Sequence, residues 1–159
     1  MFREINKKTK LIQSHIKGLF FLFFLLISCN SASDKRLTKK EISSVNEKAF
    51  SAYKLGNHQL SIHYYNILIK DDSLNGEYYF NRAYSFSMLL KREEAVKDYL
   101  MAAGLNYRND EAFYNIGLNF THLNDSIALI YFKKAIEINP GSQDIRNALD
   151  KCEKRIIAK

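Results

Sequence analysis

Few side chains in this 159-residue chain stand at spacings that could do chemistry. His58 and His63 are five residues apart, which does not stack them on one helical face, and no acid or cysteine lies at ligand spacing to complete a metal set. Asp71-Asp72 has the composition of a solvated turn, and no calcium-loop pattern follows it. Glu93-Glu94 reads as the opening of a helix, where the macrodipole favours negative charge. The sequence holds no glycine-rich phosphate loop, nucleophile elbow or HExxH motif. No catalytic residue, metal, cofactor or small-molecule substrate is therefore expected. The two thiols remain. Cys152 lies on an apolar stripe and is expected as a buried thiol, with a redox or cross-linking role as the alternative. Cys29 closes a short apolar run as Leu26-Ile27-Ser28-Cys29, where modification of the sulfur would decide both compartment and anchoring.

Ahead of Cys29, Arg3, Lys7, Lys8, Lys10 and Lys17 precede an unbroken apolar stretch of nine residues, Leu19 to Ile27, the layout of a secretory signal peptide. A membrane span needs about twenty apolar residues, and extending this run backwards meets Lys17, His15, Ser14 and Gln13. The segment resembles the type II signal peptide of bacterial lipoproteins. Their lipobox of Leu, a small or branched residue, a small residue and Cys is matched at Leu26, Ile27, Ser28 and Cys29. The resemblance implies cleavage before Cys29 and lipidation of its sulfur, with more than one acyl chain making a stable anchor at about 0.8 kcal/mol per buried methylene. It also implies a lipoprotein of the bacterial cell envelope, held at the outer membrane and facing the periplasm in a Gram-negative cell, because Asn30 rather than Asp follows the cysteine. An ordinary signal peptide cut nearby and an uncleaved anchor are the alternatives.

Residues 1–28 thus count as leader and 29–37, small and polar, as a flexible tether. From Cys29 onward 131 residues remain, enough for one compact domain. They carry 19 bases against 16 acids, a net charge of +3 where the whole chain has +7. Lys35, Arg36, Lys39 and Lys40 cluster beside the tether, which suits anionic lipid head groups. A nucleic-acid partner would need a basic stripe on the domain itself, so none is expected. With Cys29 lipidated, Cys152 has no disulfide partner, and packing alone must hold the core.

Self-similarity appears at a register near 34 residues. Ala49, Ala83 and Gly117 are spaced 34 and 34; Ser61, Ala95 and Ala128, with Tyr65, Tyr99 and Phe132, are spaced 34 and 33. A single deletion between Phe120 and Ala128 accounts for the shorter steps. Each unit reads as two helices, because apolar residues recur at three and four: Tyr79, Ala83, Phe86 and Leu90, then Ala95, Tyr99 and Ala102. Thr38 with Glu41 makes a capping box for the first helix, and Asn57 is the expected N-cap of the second. Beyond Ser142, Ile145, Leu149, Cys152 and Ile156 form an amphipathic stripe opposite Arg146, Asp150, Lys151, Glu153, Lys154 and Arg155.

At these residues the chain resembles the tetratricopeptide repeat (TPR) family, over roughly Ile42 to Pro140. The third unit matches best, through Phe113, Ile116, Gly117, Phe120, Ala128, Phe132, Ala135 and Pro140. The second matches in Tyr79, Ala83, Phe86, Ala95, Tyr99 and Ala102 but has Arg82 where the family usually has Leu and Tyr107 where it has Pro. The first is degenerate, with Ala52 for an aromatic, Ser61 and Leu68 for Ala, and Ser73 for Pro. The resemblance implies an all-α, right-handed TPR superhelix, an α-solenoid of about three helix-turn-helix repeats plus a C-terminal capping helix. Residues 38–75, 76–109 and 110–142 are then the units and 143–159 the cap. Small residues are needed where helices cross, so Ala83 is expected against Ala95 and Gly117 against Ala128, with Ala49, Ala102 and Ala135 in like places. Phe86, Tyr99, Phe120 and Phe132 fill the gaps beside them. A Leu at Ala95 is expected to overpack the crossing by about 1 to 3 kcal/mol.

In this family the first helices line a concave groove that holds a peptide of another protein. Matching places here are Asn46, Phe50 and Tyr53; Phe80, Asn81, Tyr84 and Met88; and Tyr114, Asn115, Leu118 and Thr121. Asn81 and Asn115 could pair with a ligand's backbone whatever its side chains, and the aromatics would be anchors. The carboxylate clamp of chaperone-binding members is not reproduced, since Phe50 and Asn115 stand where it has polar or cationic residues. The expectation is a lipid-anchored envelope adaptor that assembles or positions other envelope proteins, reaching them through the groove and the membrane through the Cys29 lipid. A homo-oligomer-forming repeat protein without a peptide ligand is the alternative, in which the aromatics merely fill the solenoid.

Overall fold

The computed structural model describes residues 36–121 and 123–158. The leader, Cys29, residues 29–35 of the tether and His122 lie outside the described residues. Seven helices and no strand make up the described part: α1 Lys39–Lys54, α2 His58–Asp71, α3 Gly76–Met88, α4 Arg92–Gly104, α5 Asn109–Phe120, α6 Asp125–Ile138 and α7 Gln143–Ile157. Each packs on the next in chain order, so they stack as an all-α helical-repeat solenoid of three pairs followed by α7. None of them is long and apolar enough to cross a membrane.

Local chemistry sets the boundaries. The Thr38 backbone N–H donates to Glu41 Oε2 at 2.8 Å while the Glu41 N–H donates to Thr38 Oγ1 at 3.3 Å, satisfying two donors that α1 would otherwise leave open. Asn57, Asn75, Asn124 and Ser142 cap α2, α3, α6 and α7 in the same way with one side-chain oxygen each. The C-terminal ends of α1, α3 and α4 close by left-handed residues. Gly56 at φ 72°, Leu90 at φ 57° and Asn106 at φ 58° each let the following N–H reach back five residues, Asn57 to Ala52, Lys91 to Phe86 and Tyr107 to Ala102, all at 2.9 Å. The deletion falls where the register places it: α5 ends three residues past Gly117, whereas α3 runs five past Ala83.

Three apolar clusters run along the stack. Ala49 with Tyr65, Leu68 and Tyr78 forms one; Ala83, Ala95, Tyr99, Ala102 and Ile116 the central one; Ala128, Phe132 and Cys152 the last. Ala135 is also fully buried, and burial of each large side chain contributes about 1.5 to 3 kcal/mol. Phe86 and Phe120 are half-buried at the edge of the central cluster. An aromatic ring fills the crossing at Gly117. The nearest neighbour of the glycine is the Phe132 ring rather than Ala128, and a Cβ built there would stand 2.5 Å from Phe132 Cε1. Pro140 is exposed, with its carbonyl accepting from Arg146 Nη2 at 2.5 Å.

Two departures from the repeat pattern have structural partners. Ser61, fully buried where the other units have Ala, accepts from Ser85 Oγ at 3.1 Å. Arg82 donates to both carboxylate oxygens of Asp98, at 2.6 and 2.8 Å, and to Asn66 Oδ1 at 2.7 Å, lying between the rings of Tyr79 and Phe86. One guanidinium thus ties α2, α3 and α4. At the far end α7 seals the third cluster: Cys152 is fully buried, its Sγ donates to the Asp125 carbonyl at 3.2 Å, and Arg155 pairs with the Asp125 carboxylate at 3.0 Å. Burial holds that thiol above its ordinary pKa, which favours its protonated form.

Candidate functional site

The first helices of successive pairs meet along one side of the stack. Tyr53 of α1 touches Tyr84 of α3 edge-on at 5.1 Å between centroids, and Asn119 of α5 donates to Ser87 Oγ of α3 at 2.9 Å. Tyr114 and Leu118 of α5 face Asn147 and Lys151 of α7 across a cleft. α7 therefore stands where the first helix of a further pair would.

At the α1 end this inner side is an aromatic shelf. Phe50 is 47 % exposed, lies 6.0 Å from the Tyr53 ring in a stacked arrangement, and has Lys54 Nζ 4.7 Å over its face. His58, at the start of α2, completes the shelf at 6.4 Å from Tyr53 and 6.5 Å from Tyr84. Burial, then the neighbouring Tyr84, raises the Tyr53 pKa, so its hydroxyl stays a neutral hydrogen-bonding group. Met88, 51 % exposed, extends the apolar surface along α3, and Asn46 is half-buried on α1.

At the other end lies a cleft of about 240 Å³, walled by Tyr114, Leu118 and Thr121 on one side and Asp144, Asn147 and Lys151 on the other, over the Phe132 ring. Tyr114 sits 5.9 Å from that ring, and burial first and Asp144 second raise its pKa. Leu118 is 43 % exposed, while Thr121 Oγ1 is held by the Gly117 carbonyl at 3.1 Å. The half-buried Asn115 lends its carbonyl to Asn119 Nδ2 at 2.9 Å.

Two of the expected groove residues are otherwise engaged. Phe80 is only 5 % exposed and belongs to the core: Tyr99 and Tyr107 meet it edge-on at 5.3 and 5.7 Å, and the Arg108 guanidinium covers its face at 4.8 Å. Its ring is closed to a ligand. Asn81 is half-buried, and its side chain lies near the Tyr65 hydroxyl, where it opposes the effect of burial on that group's pKa. Conversely, His58 and the α7 residues Asp144, Asn147 and Lys151 join the inner side although the sequence did not mark them for the groove. The signal for the last three was present in α7 standing one repeat step beyond α5. Among the described residues no cluster of three metal-ligating side chains occurs.

No family model matches the chain. Solved structures superpose on it, and all three described next are TPR domains. The fold is that of a tetratricopeptide-repeat domain. The Arabidopsis OM64 TPR domain aligns with TM-score 0.67 and 25 % identity, over 72 % of this chain and 95 % of that one. The first TPR of Spaghetti (RPAP3), bound to the HSP90 peptide SRMEEVD, gives 0.69 and 22 % over 77 % and 98 %. The second TPR domain of human RPAP3, in complex with the HSP70 peptide SGPTIEEVD, gives 0.65 and 26 % over 70 % and 94 %. Most of each TPR domain is thus spanned by the helices described here.

Proposed function

We propose that this TPR domain is a protein-interaction scaffold that holds an apolar, weakly charged peptide segment of another protein on its inner side. The supporting observation is the shelf itself. Phe50, Met88 and Leu118 leave roughly half of their surface open on that side, next to tyrosine hydroxyls and amides that can orient a backbone. TPR domains of the same fold are solved with peptides ending in EEVD. This inner side offers Lys54 over Phe50 at one end and Lys151 on the same wall as Asp144 at the other, a poor match to so acidic a terminus. In the same reading the Cys29 lipid tethers the domain in a bacterial envelope, where it assembles or positions other envelope proteins.

The test is a crosslinking pull-down from native membranes, comparing wild type with a Tyr84→Ala, Tyr114→Ala variant whose helical circular dichroism is intact. Loss of a defined set of partners in the variant is expected. Identical partner sets would end the proposal for the groove, and a mature chain whose Cys29 carries no acyl mass would end it for the anchor.

A further inference from the structure

The turns inside the helix pairs all lie at one end of the stack. Tyr53 meets Tyr84 and Ser87 meets Asn119 within about a turn of the C-terminal ends of α1, α3 and α5, and Thr121 shares a cleft with Lys151 and Arg155 near the end of α7. The first helices and α7 therefore run parallel and finish together. At that end each turn presents bare apolar surface: Leu55 is 84 % exposed, Leu90 68 % and Leu123 62 %, and Ile157, the last residue of α7, is 85 % exposed. Leu90 does so from a left-handed backbone at φ 57°, unfavourable for a residue with a side chain, at the place where the first unit has Gly56.

These tips belong to successive helix pairs, and packed helices stand about 8 to 10 Å apart, so they form a row of separate points and not one pocket. Such a row suits a broad apolar phase better than a single peptide. Charge names the phase. Lys54, Lys91 and Arg92, all exposed, border the tips, and the described acids within a turn of them are Glu93, Glu94 and Asp125, the last paired with Arg155. At the opposite end the exposed Leu74 and Ile138 stand instead beside Asp72 and Glu77 and beside Glu137. The tether is long enough to serve the first end. Leu37 is held at the opposite end, its N–H donating to Asp71 Oδ1 at 2.6 Å, and Cys29 lies eight residues before it, up to about 28 Å of extended chain beside the roughly 24 Å of the 16-residue α1. We propose that the leucine-tipped end rests on an anionic lipid surface, with the tips among the head groups and the first helices upright on it. The proposal rests on the reading that the chain is held at a membrane, and it leaves the inner side open sideways.

The chain has no tryptophan, so a single one reports its own surroundings. Leu55→Trp, Leu123→Trp and, at the opposite end, Leu74→Trp replace exposed residues, and unchanged helical melting confirms that each variant folds. The full chain, purified from the membranes of cells expressing it, is reconstituted in phosphatidylethanolamine–phosphatidylglycerol vesicles whose acyl chains carry bromine. Fluorescence at Leu55→Trp and Leu123→Trp is expected to be quenched about threefold or more beyond that at Leu74→Trp. Adding Lys91→Glu and Arg92→Glu, acids that suit the start of α4, should remove most of the quenching, as should neutral phosphatidylcholine vesicles. Equal or stronger quenching at Leu74→Trp, quenching that survives the charge reversal or the neutral lipid, or a blue-shifted emission without quenching, which marks a protein partner, overturns the proposal. The acyl mass on Cys29 in the same samples reads the anchor separately: a lipidated chain with unquenched tips ends this inference and keeps the anchor, and an unlipidated chain with quenched tips does the reverse.

Discussion

Gly117 and Phe132 are in direct contact, with the ring so close over the glycine that an added methyl would stand 2.5 Å from Cε1 and 2.6 Å from Cδ1. Phe132 is 1 % exposed and enclosed by Ala128, Cys152 and Leu149, so it has little room to withdraw. A Gly→Ala change in a helix ordinarily gains about 1 kcal/mol from propensity, but overpacking costs about 1 to 3 kcal/mol. Gly117→Ala should therefore destabilise the domain by up to about 2 kcal/mol in urea melts, with recovery on adding Phe132→Leu. A more stable single variant would contradict the contact.

Arg82 and Asp98 stand where the third unit has Ile116 and Tyr131, one repeat later in register. The Asp98 side chain is 4 % exposed, so Arg82→Ile alone strands a buried carboxylate and should cost about 3 to 5 kcal/mol. Arg82→Ile with Asp98→Tyr transplants the third unit's apolar pair and should restore most of that stability. Equal losses in the single and double variants would show that the pair is not what makes Arg82 indispensable.

Leu90 occupies the place that Gly56 fills 34 residues earlier, with φ 57° against 72°. A left-handed backbone costs a side-chain-bearing residue about 1 to 2 kcal/mol, of which glycine's greater unfolded-state freedom offsets a part. Leu90→Gly should raise the stability of the domain by about 1 kcal/mol in urea melts.

Burial pushes the Tyr65 hydroxyl up from 10.0 to about 12, and Tyr99 is raised for the same reason. Both are uncharged in the folded domain at neutral pH, whereas the unfolded chain releases their protons first. Their stabilisation is thus complete below pH 10 and is lost as pH rises from 10 toward 12. Melting temperature should be flat through neutrality and fall across that window, and Tyr65→Phe should shallow the fall. A decline as steep in the Tyr65→Phe, Tyr99→Phe variant would locate the alkaline sensitivity elsewhere.

The residues themselves determined the helices, their pairing and their ends. Periodicity of three and four, small residues at 34-residue steps, the Thr38 box and the Asn57 cap act within a few positions along the chain, so they read directly from it. The stripe of Ile145, Leu149, Cys152 and Ile156 likewise foretold a helix whose apolar side closes the last pair, and Ile145 and Cys152 are buried there.

Tertiary packing alone decided which border residues turn inward. Phe80 and Tyr84 lie one turn apart on α3, yet Tyr99, Tyr107 and Arg108 from beyond α3 close over the first and leave the second on the inner side. Arg82 looked like a flaw in the repeat until Asp98, 16 residues on, supplied its partner. The lysine, amide and acid of α7 entered the cleft because that helix takes the station of a further first helix. A helix's apolar arc fixes its centre and not its margins, and the margins belong to whichever neighbour arrives beside them.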